Sequence, residues 1–354
     1  MRILVINPGS TSTKLAVFDG KRVLFERTVR SDPPAEPELD MRVRRSLVAD
    51  WLREVGVTSL DAVVARGGIL RPLPPGVYEV GSAMVEELIK GLHGWHASNL
   101  GAPLAQEFGR LFGCPAYVVD PVSVDEMIPE ARLSGLKEVP RRSLFHALNI
   151  RAIIRDVCGE LGRSPDDFNA VVAHLGGGTS VVAVRGGRVI DVNNANEEGP
   201  FSMERAGGVP AVGLLKWVFA RGFDLESAVR RLVGGGGMMD YLGTRSLEEV
   251  ESRMLKGDEK ARLAWEALAY QVCKEIGAMT AALGGRPDAI ILTGGMARST
   301  RLTSRIRERI GFLGEVLVRP GEQEMRALAD GAIEVLTGKT KPMRYPPPEG
   351  RTQS

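Results

Sequence analysis

One unusual segment occurs twice in this chain, and nothing else in the sequence constrains the fold as strongly. Residues Ile3 to Val17 lie over Ala170 to Val184 when Gly9 is set against Gly176, and the overlay needs no gap until after the second turn. Each copy reads as a buried apolar strand, a tight loop of small residues, and a second strand. A turn, Asp19-Gly20 or Gly186-Gly187, then leads into a third strand. A loop of Gly, Ser and Thr lets backbone N–H and hydroxyl groups come close to a phosphate, because no bulky substituent on Cβ intervenes. Two such loops from the two halves of one chain suit a polyphosphate held from both sides.

The 354 residues are enough for two domains. With 44% hydrophobic and 25% charged residues the composition is that of a globular protein. The net charge of +2 argues against a nucleic-acid footprint or attraction to a membrane surface, and it suits a small anionic ligand. There is no charged leader with an apolar h-region and no apolar run of about 18 residues, so a cytoplasmic protein without membrane partners is expected. Cys114, Cys158 and Cys273 are odd in number and far apart. They read as small buried hydrophobes, not as a disulfide framework or metal ligands.

Along the chain, a three-stranded meander over 2–30 is followed by a Pro-rich break at Asp32 to Pro37. Leu39, Val43, Leu47, Leu52 and Val55 then recur at helical spacing. A short strand at 61–65 leads to Arg66-Gly67-Gly68, and helices at 82–91 and 99–112 precede a strand at 116–120. A helix over 146–161 enters the second copy, which is followed by helices near 209–221, 224–233, 246–255 and 259–283. A buried strand at 288–293, a helix from Arg298, a strand at 315–318 and a helix at 323–338 complete the pattern. The simplest architecture is α/β, a duplicated βββαβαβα plan with lobes at 1–150 and 151–338 and a polar tail at 339–354 that is expected to fray from Pro342.

The first loop, Asn7 to Lys14, combines backbone donors, the hydroxyls of Ser10 and Ser12, and a cation. In the overlay Lys14 meets Val181, so only one loop carries charge, and the Asn7–Lys14 side is expected to face the reacting phosphate. Gly176, Gly177 and Gly178 form the second loop. Gly294, Gly295 and Met296 follow a strand and precede a helix, a position that accommodates nucleotides. Gly234 to Gly237 follows no clear strand and reads as a flexible loop.

His174 and His146 stand at loop junctions, whereas His93 and His96 flank Trp95 and read as a helix connection or pocket wall. Arg66 and Arg205 offer planar, permanently charged clamps for carboxylate or phosphoryl oxygens, with a plain salt bridge as the alternative. Asp120 and Glu324, at a strand end and a helix start, suit Mg²⁺ held partly through water, or helix capping. The chain has no Walker-type P-loop, H-E-x-x-H, C-x-x-C, G-x-S-x-G or protein-kinase series.

At these residues the chain resembles the acetokinase family of the sugar kinase, heat-shock and actin superfamily, in its butyrate kinase branch. Asn7 to Lys14 is similar to the family's opening signature, and His174 to Ser180 to its second phosphate motif. The resemblance runs through Arg66-Gly67-Gly68, Val119-Asp120-Pro121, Phe145-His146, Thr293-Gly294-Gly295 and Gln323-Glu324. Acetate kinases are typically longer, with histidine where Arg66 stands and arginine where Val63 stands, and this departure points to the butyrate branch.

The resemblance implies two ribonuclease-H-like, actin-like ATPase domains around a nucleotide cleft, with the last helix returning to the first domain. It implies transfer of the γ-phosphoryl group of ATP to butanoate, giving butanoyl phosphate and ADP, by an enzyme that is at least a homodimer. Arg205, His146 and His174 would bear the charge of the transferring group and Arg66 would bind the carboxylate. Asn7, Ser10, Ser12, Lys14 and Gly176 to Gly178 would hold phosphates, Asp120 and Glu324 would orient Mg²⁺, and Gly294 to Met296 would lie near adenosine. Acetate, propionate or a branched acid are alternative substrates. An actin-like or chaperone-like ATPase is the alternative of a different class.

Overall fold

Residues Ile3 to Ile6 and Leu15 to Val17 have no exposed surface on either side of the pleat, the mark of strands at the centre of a covered sheet. The computed structural model describes residues 1–10, 12–30 and 36–346. Thr11, most of the Pro-rich break and the tail beyond Pro346 lie outside the described residues. The chain forms two compact units. The first contains Met1–Asp125, Ala147–Ala152 and the chain from Gln323 onward, and the second contains Glu126–His146 and Ile153–Glu322, in place of the single boundary after residue 150 that the sequence leads one to expect.

In chain order the elements of the first stretch are β1 (Arg2–Pro8), β2 (Ser12–Asp19), β3 (Arg22–Arg30), α1 (Pro37–Glu54), β4 (Ala62–Arg66), β5 (Val77–Glu79), α2 (Ser82–Lys90), α3 (Gly101–Phe112) and β6 (Ala116–Val119). There follow α4 (Pro129–Arg132), α5 (Ala147–Leu161), β7 (Ala170–Leu175), β8 (Thr179–Arg185), β9 (Arg188–Val192), α6 (Ala211–Arg221) and α7 (Leu225–Leu232). The chain continues with α8 (Met238–Leu242), α9 (Leu247–Leu255), α10 (Glu259–Ala282), β10 (Ala289–Gly294), α11 (Thr300–Ile310), β11 (Val316–Pro320) and α12 (Glu324–Leu336).

The first sheet has the order β3-β2-β1-β4-β6-β5 and the second β9-β8-β7-β10-β11, so both begin with the same arrangement of an antiparallel meander joined to parallel strands. The expected duplicated plan is the observed one. In the first unit Leu4, Ile6, Leu15 and Val17 face one apolar cluster. Ile3, Val5, Ala16 and Phe18 face another, which Ala327, Leu328 and Ala332 of α12 complete. In the second unit Val171, Ala173 and Leu175 pack with Trp265, Leu268, Val272 and Ile276 of the long helix α10.

Strand register corrects the gapless overlay. Pro8 pairs with Thr13 across a four-residue loop, but Leu175 pairs with Thr179 across three residues. The counterpart of Lys14, which faces Asn7, is therefore Ser180, which faces His174, and not Val181. Cross-strand pairing overrides sequence spacing here, because a slip of one residue would turn every following side chain to the other face.

Three further expectations change. In α1 the buried row is Asp40, Arg44, Val48, Trp51 and Leu52, while Leu39 is exposed. The two rows are neighbours on the helix, and the charged one turns inward because Asp40 and Arg44 pair at 2.7 Å. The helix expected from Arg298 begins at Thr300, capped by Ser299, after a 3₁₀ turn over Gly295–Arg298. The tail does not fray from Pro342. Met343 extends the sheet beside β5, donating its N–H to Val77 O at 2.8 Å and accepting from Glu79 N at 2.9 Å.

Candidate active site

In the first unit the parallel strands β1, β4 and β6 end side by side, which brings Asn7, Arg66 and Asp120 to one edge of the sheet. Asn7 is buried and donates from Nδ2 to Glu324 Oε2 at 2.7 Å. Arg66 Nη1 approaches the same oxygen at 3.3 Å. Glu324, itself buried, opens α12, where the helix dipole favours a carboxylate. Asp120 is the one non-glycine among the described residues with φ in the left-handed region, at 39°. Its Oδ1 accepts the Gly76 N–H at 2.8 Å, its own N–H donates to Gly76 O, and Arg151 Nε lies 3.5 Å from Oδ2. Such strain persists only where surrounding structure enforces it, and it concentrates at working sites.

The first loop is closed by Gly9 N–H donating to Ser12 O at 2.7 Å. Ser10 is exposed, and Ser12 and Lys14 are half-buried.

The second unit assembles its residues more tightly. His174, 1% exposed at the end of β7, stacks on His146 with ring centroids 3.8 Å apart and planes 7° from parallel. His146 directly precedes α5, and its Nδ1 is 2.9 Å from Ser180 Oγ on β8. A Cβ on Gly176 would stand 3.3 Å from His174 Nε2, and one on Gly178 would stand 3.8 Å from Arg205 Cγ and 3.9 Å from His146 Cε1. Both imidazoles and the arginine thus border the glycine loop. Arg205 Nη1 donates to Glu204 Oε1 at 3.0 Å and Nε to Asn196 Oδ1 at 3.2 Å. Glu204 also meets Arg245 Nε at 3.2 Å.

The Arg205 segment is fastened to the loop and to a second backbone. Gly177 O accepts from Ser202 Oγ and from Glu204 N. The run Gly234 to Gly237, expected as a flexible loop, packs instead on residues 202–206. Gly234 N–H donates to Glu204 O at 2.7 Å, and a Cβ on Gly237, whose φ is +65°, would stand 2.0 Å from Ser202 O. The signal for this support was the run itself, since consecutive glycines permit backbone-to-backbone contact.

Gly294, with φ +89°, exchanges hydrogen bonds with Gly321, and a Cβ there would stand 2.4 Å from Leu175 O, next to the glycine loop. Gly295 faces open space. The Met296 side chain belongs to the core of the unit, so only its backbone is available to a ligand. His93 contacts Glu87 at 2.9 Å and His96 Nδ1 accepts from Ser98 N, which gives both structural tasks. All three cysteines are unpaired, and burial pushes their thiols up, that of Cys273 to about 11.

Among the described residues no cluster of three or more His, Cys, Asp or Glu could hold a metal by itself. Mg²⁺ takes one or two carboxylates and otherwise keeps water and phosphate oxygens, and Glu324 and Asp120 are buried carboxylates of the first unit, at a helix start and a strand end.

A model of the acetokinase family matches residues 135–329, more than half of the chain. Similar solved structures include Porphyromonas gingivalis acetate kinase, at 21% identity and a TM-score of 0.77, covering 94% of this chain and 99% of that one. A propionate kinase from Francisella tularensis subsp. tularensis SCHU S4 aligns at 17% identity and a TM-score of 0.75, covering 93% and 98%. A putative N-acetylmannosamine kinase from Listeria monocytogenes aligns at 11% identity and a TM-score of 0.52, covering 96% and 100%. The fold is thus the actin-like α/β fold shared with these kinases. The chain belongs to the acetokinase family, and so is a carboxylate kinase with ATP and ADP as co-substrates. No helix among the described residues is long and apolar enough to cross a membrane.

Proposed function

We propose that the protein transfers the γ-phosphoryl group of ATP directly to butanoate, reversibly, giving butanoyl phosphate and ADP. The observation that carries this reading is the convergence of His146, His174 and Arg205 on the Gly176–Gly178 loop in a chain of the acetokinase family. A carboxylate is anionic at neutral pH and needs no base to attack. The task is charge: two anions must be aligned and the transferring group stabilised. Arg205 and the histidine pair bear that charge, and Arg66 binds the substrate carboxylate. Asn7, Ser10, Ser12, Lys14 and the Gly176–Gly178 loop hold phosphates, and Gly294 to Met296 line the adenosine. Mg²⁺, oriented by Glu324 and Asp120, would neutralise phosphate charge when bound.

Support for butanoate comes from Val63 and Arg66. Residue 63 is a valine packed in the core and supplies no cation, whatever its exposure, and Arg66 is a cation at the end of β4. The named activities of the Porphyromonas and Francisella structures favour acetate or propionate as the second reading. An ATP-dependent acyl hydroxamate assay over straight C2 to C6 acids and branched isomers separates them. Highest kcat/KM on C4 or branched C4–C5 acids is expected, highest on C2 or C3 supports the second reading, and phosphate release without any carboxylate supports an ATPase. We further infer a homo-oligomer, supported by the apolar face of α6, none of whose residues is buried.

A further inference from the structure

Arg44 has no exposed surface, and its guanidinium reaches the end of the first loop at Ser12 and Thr13. Nε donates to Asp40 Oδ1 at 2.7 Å, and Nη1 donates to Thr13 Oγ1 at 2.8 Å and to Ser12 O at 3.2 Å. Nη2 is buried and has no hydrogen-bond partner among the described residues. Ser12 O is also the acceptor that closes the loop through Gly9 N–H. Arg44 and the loop closure therefore meet at one carbonyl.

Stability alone does not account for this arrangement. A buried ion pair is often no more stable than apolar residues of similar volume, and an unsatisfied buried donor adds a further cost. What the guanidinium supplies that an apolar side chain does not is a fixed position for the Ser12 carbonyl and the Thr13 hydroxyl. The Ser12 carbonyl in turn holds the Gly9 N–H, and that closure sets where Ser10 presents its backbone N–H and hydroxyl.

We propose that Arg44 is a positioning residue for nucleotide phosphates, holding the first loop in its binding geometry through Ser12 O and Thr13 Oγ1, with Asp40 holding the guanidinium. The proposal rests on reading Asn7 to Lys14 as a phosphate loop. Arg44 touches no reacting atom. Its effect belongs to the nucleotide and not to the carboxylate.

The double variant Arg44→Met with Asp40→Leu removes both charges and keeps apolar volume. It is expected to melt at or above the wild-type temperature, to raise KM for ATP about tenfold or more, and to leave KM for the best carboxylate within about twofold. The stabilisation that ADP gives to the wild type in thermal melts should shrink in the variant. Thr13→Val, which removes only the hydroxyl acceptor, should raise KM for ATP severalfold, and it decides the matter should the double variant not fold. A folded variant with wild-type KM for ATP, or with equal rises for both substrates, overturns the proposal. Lys14→Ala is the control for the underlying reading. If it too leaves nucleotide binding unchanged, the loop is not a phosphate site, whereas a defect in Lys14→Ala alone removes only the role of Arg44.

Discussion

Glu324 shows how one side chain collects others: its Oε2 receives both Asn7 and Arg66, residues that are distant from it in sequence. The sequence placed each of the three near chemistry, because each ends a strand or opens a helix. That they share one oxygen was not legible, since it depends on α12 docking over β1 and β4. His146 and His174 were legible as loop-junction residues for the same reason, while their stacking depends on where the segment ending at His146 lies beside β7. Arg205 carries a prediction at this scale. A guanidinium spreads charge over a planar fork and an ammonium does not, so Arg205→Lys should lower kcat by roughly 10²-fold or more, the size seen when one stabilising donor is lost from a preorganised site. The melting temperature should move little, because Arg205 is bonded mainly to Glu204 and Asn196. Wild-type turnover in Arg205→Lys would mean that its charge, not its fork, is what matters.

Among elements, periodic helices and buried apolar strands were readable, even strands as short as β4 and β6, and short elements without an apolar run were not. The two meanders, α10 and β10 follow directly from apolar spacing, whereas β5, α4 and α8 have five residues or fewer and leave no periodic trace. The start of the tail, through Pro346, departs from the expected fraying because its anchor is tertiary: the Tyr345 hydroxyl donates to Glu87, which also receives Arg71 and His93. Burial alone would push the Glu87 carboxyl up, but hydrogen bonds from Tyr345, Arg71 and His93 outweigh it and hold the carboxyl below its ordinary value. A depressed carboxyl contributes stability above its unfolded value and loses it as pH falls through the folded one. Tyr345→Phe should therefore cost about 1.5–3 kcal/mol at pH 7. Urea denaturation repeated at falling pH should show the deficit narrowing as Glu87 protonates. A deficit that stays constant through the carboxylate range would show that Glu87 is not the acceptor responsible.

At the scale of the molecule, duplication explains the paired sheets but not the surface. Helix α6 is largely apolar, yet Val212, Leu215 and Phe219 are 67%, 58% and 81% exposed, and Leu225 at the start of α7 is 82% exposed. Beside them lies a groove of about 430 Å³ lined in part by Val209, Leu214, Trp217 and Tyr241. A contiguous apolar face of this kind exceeds the scattered exposure normal on a monomer surface, and periodicity cannot distinguish burial in a core from burial in an interface. If a second copy covers it, light scattering should give a multiple of the 38.2 kDa chain mass at micromolar concentration. Charge on both faces of an isologous contact is repelled twice, so Leu215→Glu with Phe219→Glu should shift the population to monomer with unchanged circular dichroism. A wild-type chain that is monomeric at those concentrations, or a double variant that keeps the wild-type mass, would remove α6 from any subunit contact and leave its apolar face without a partner among copies of the chain.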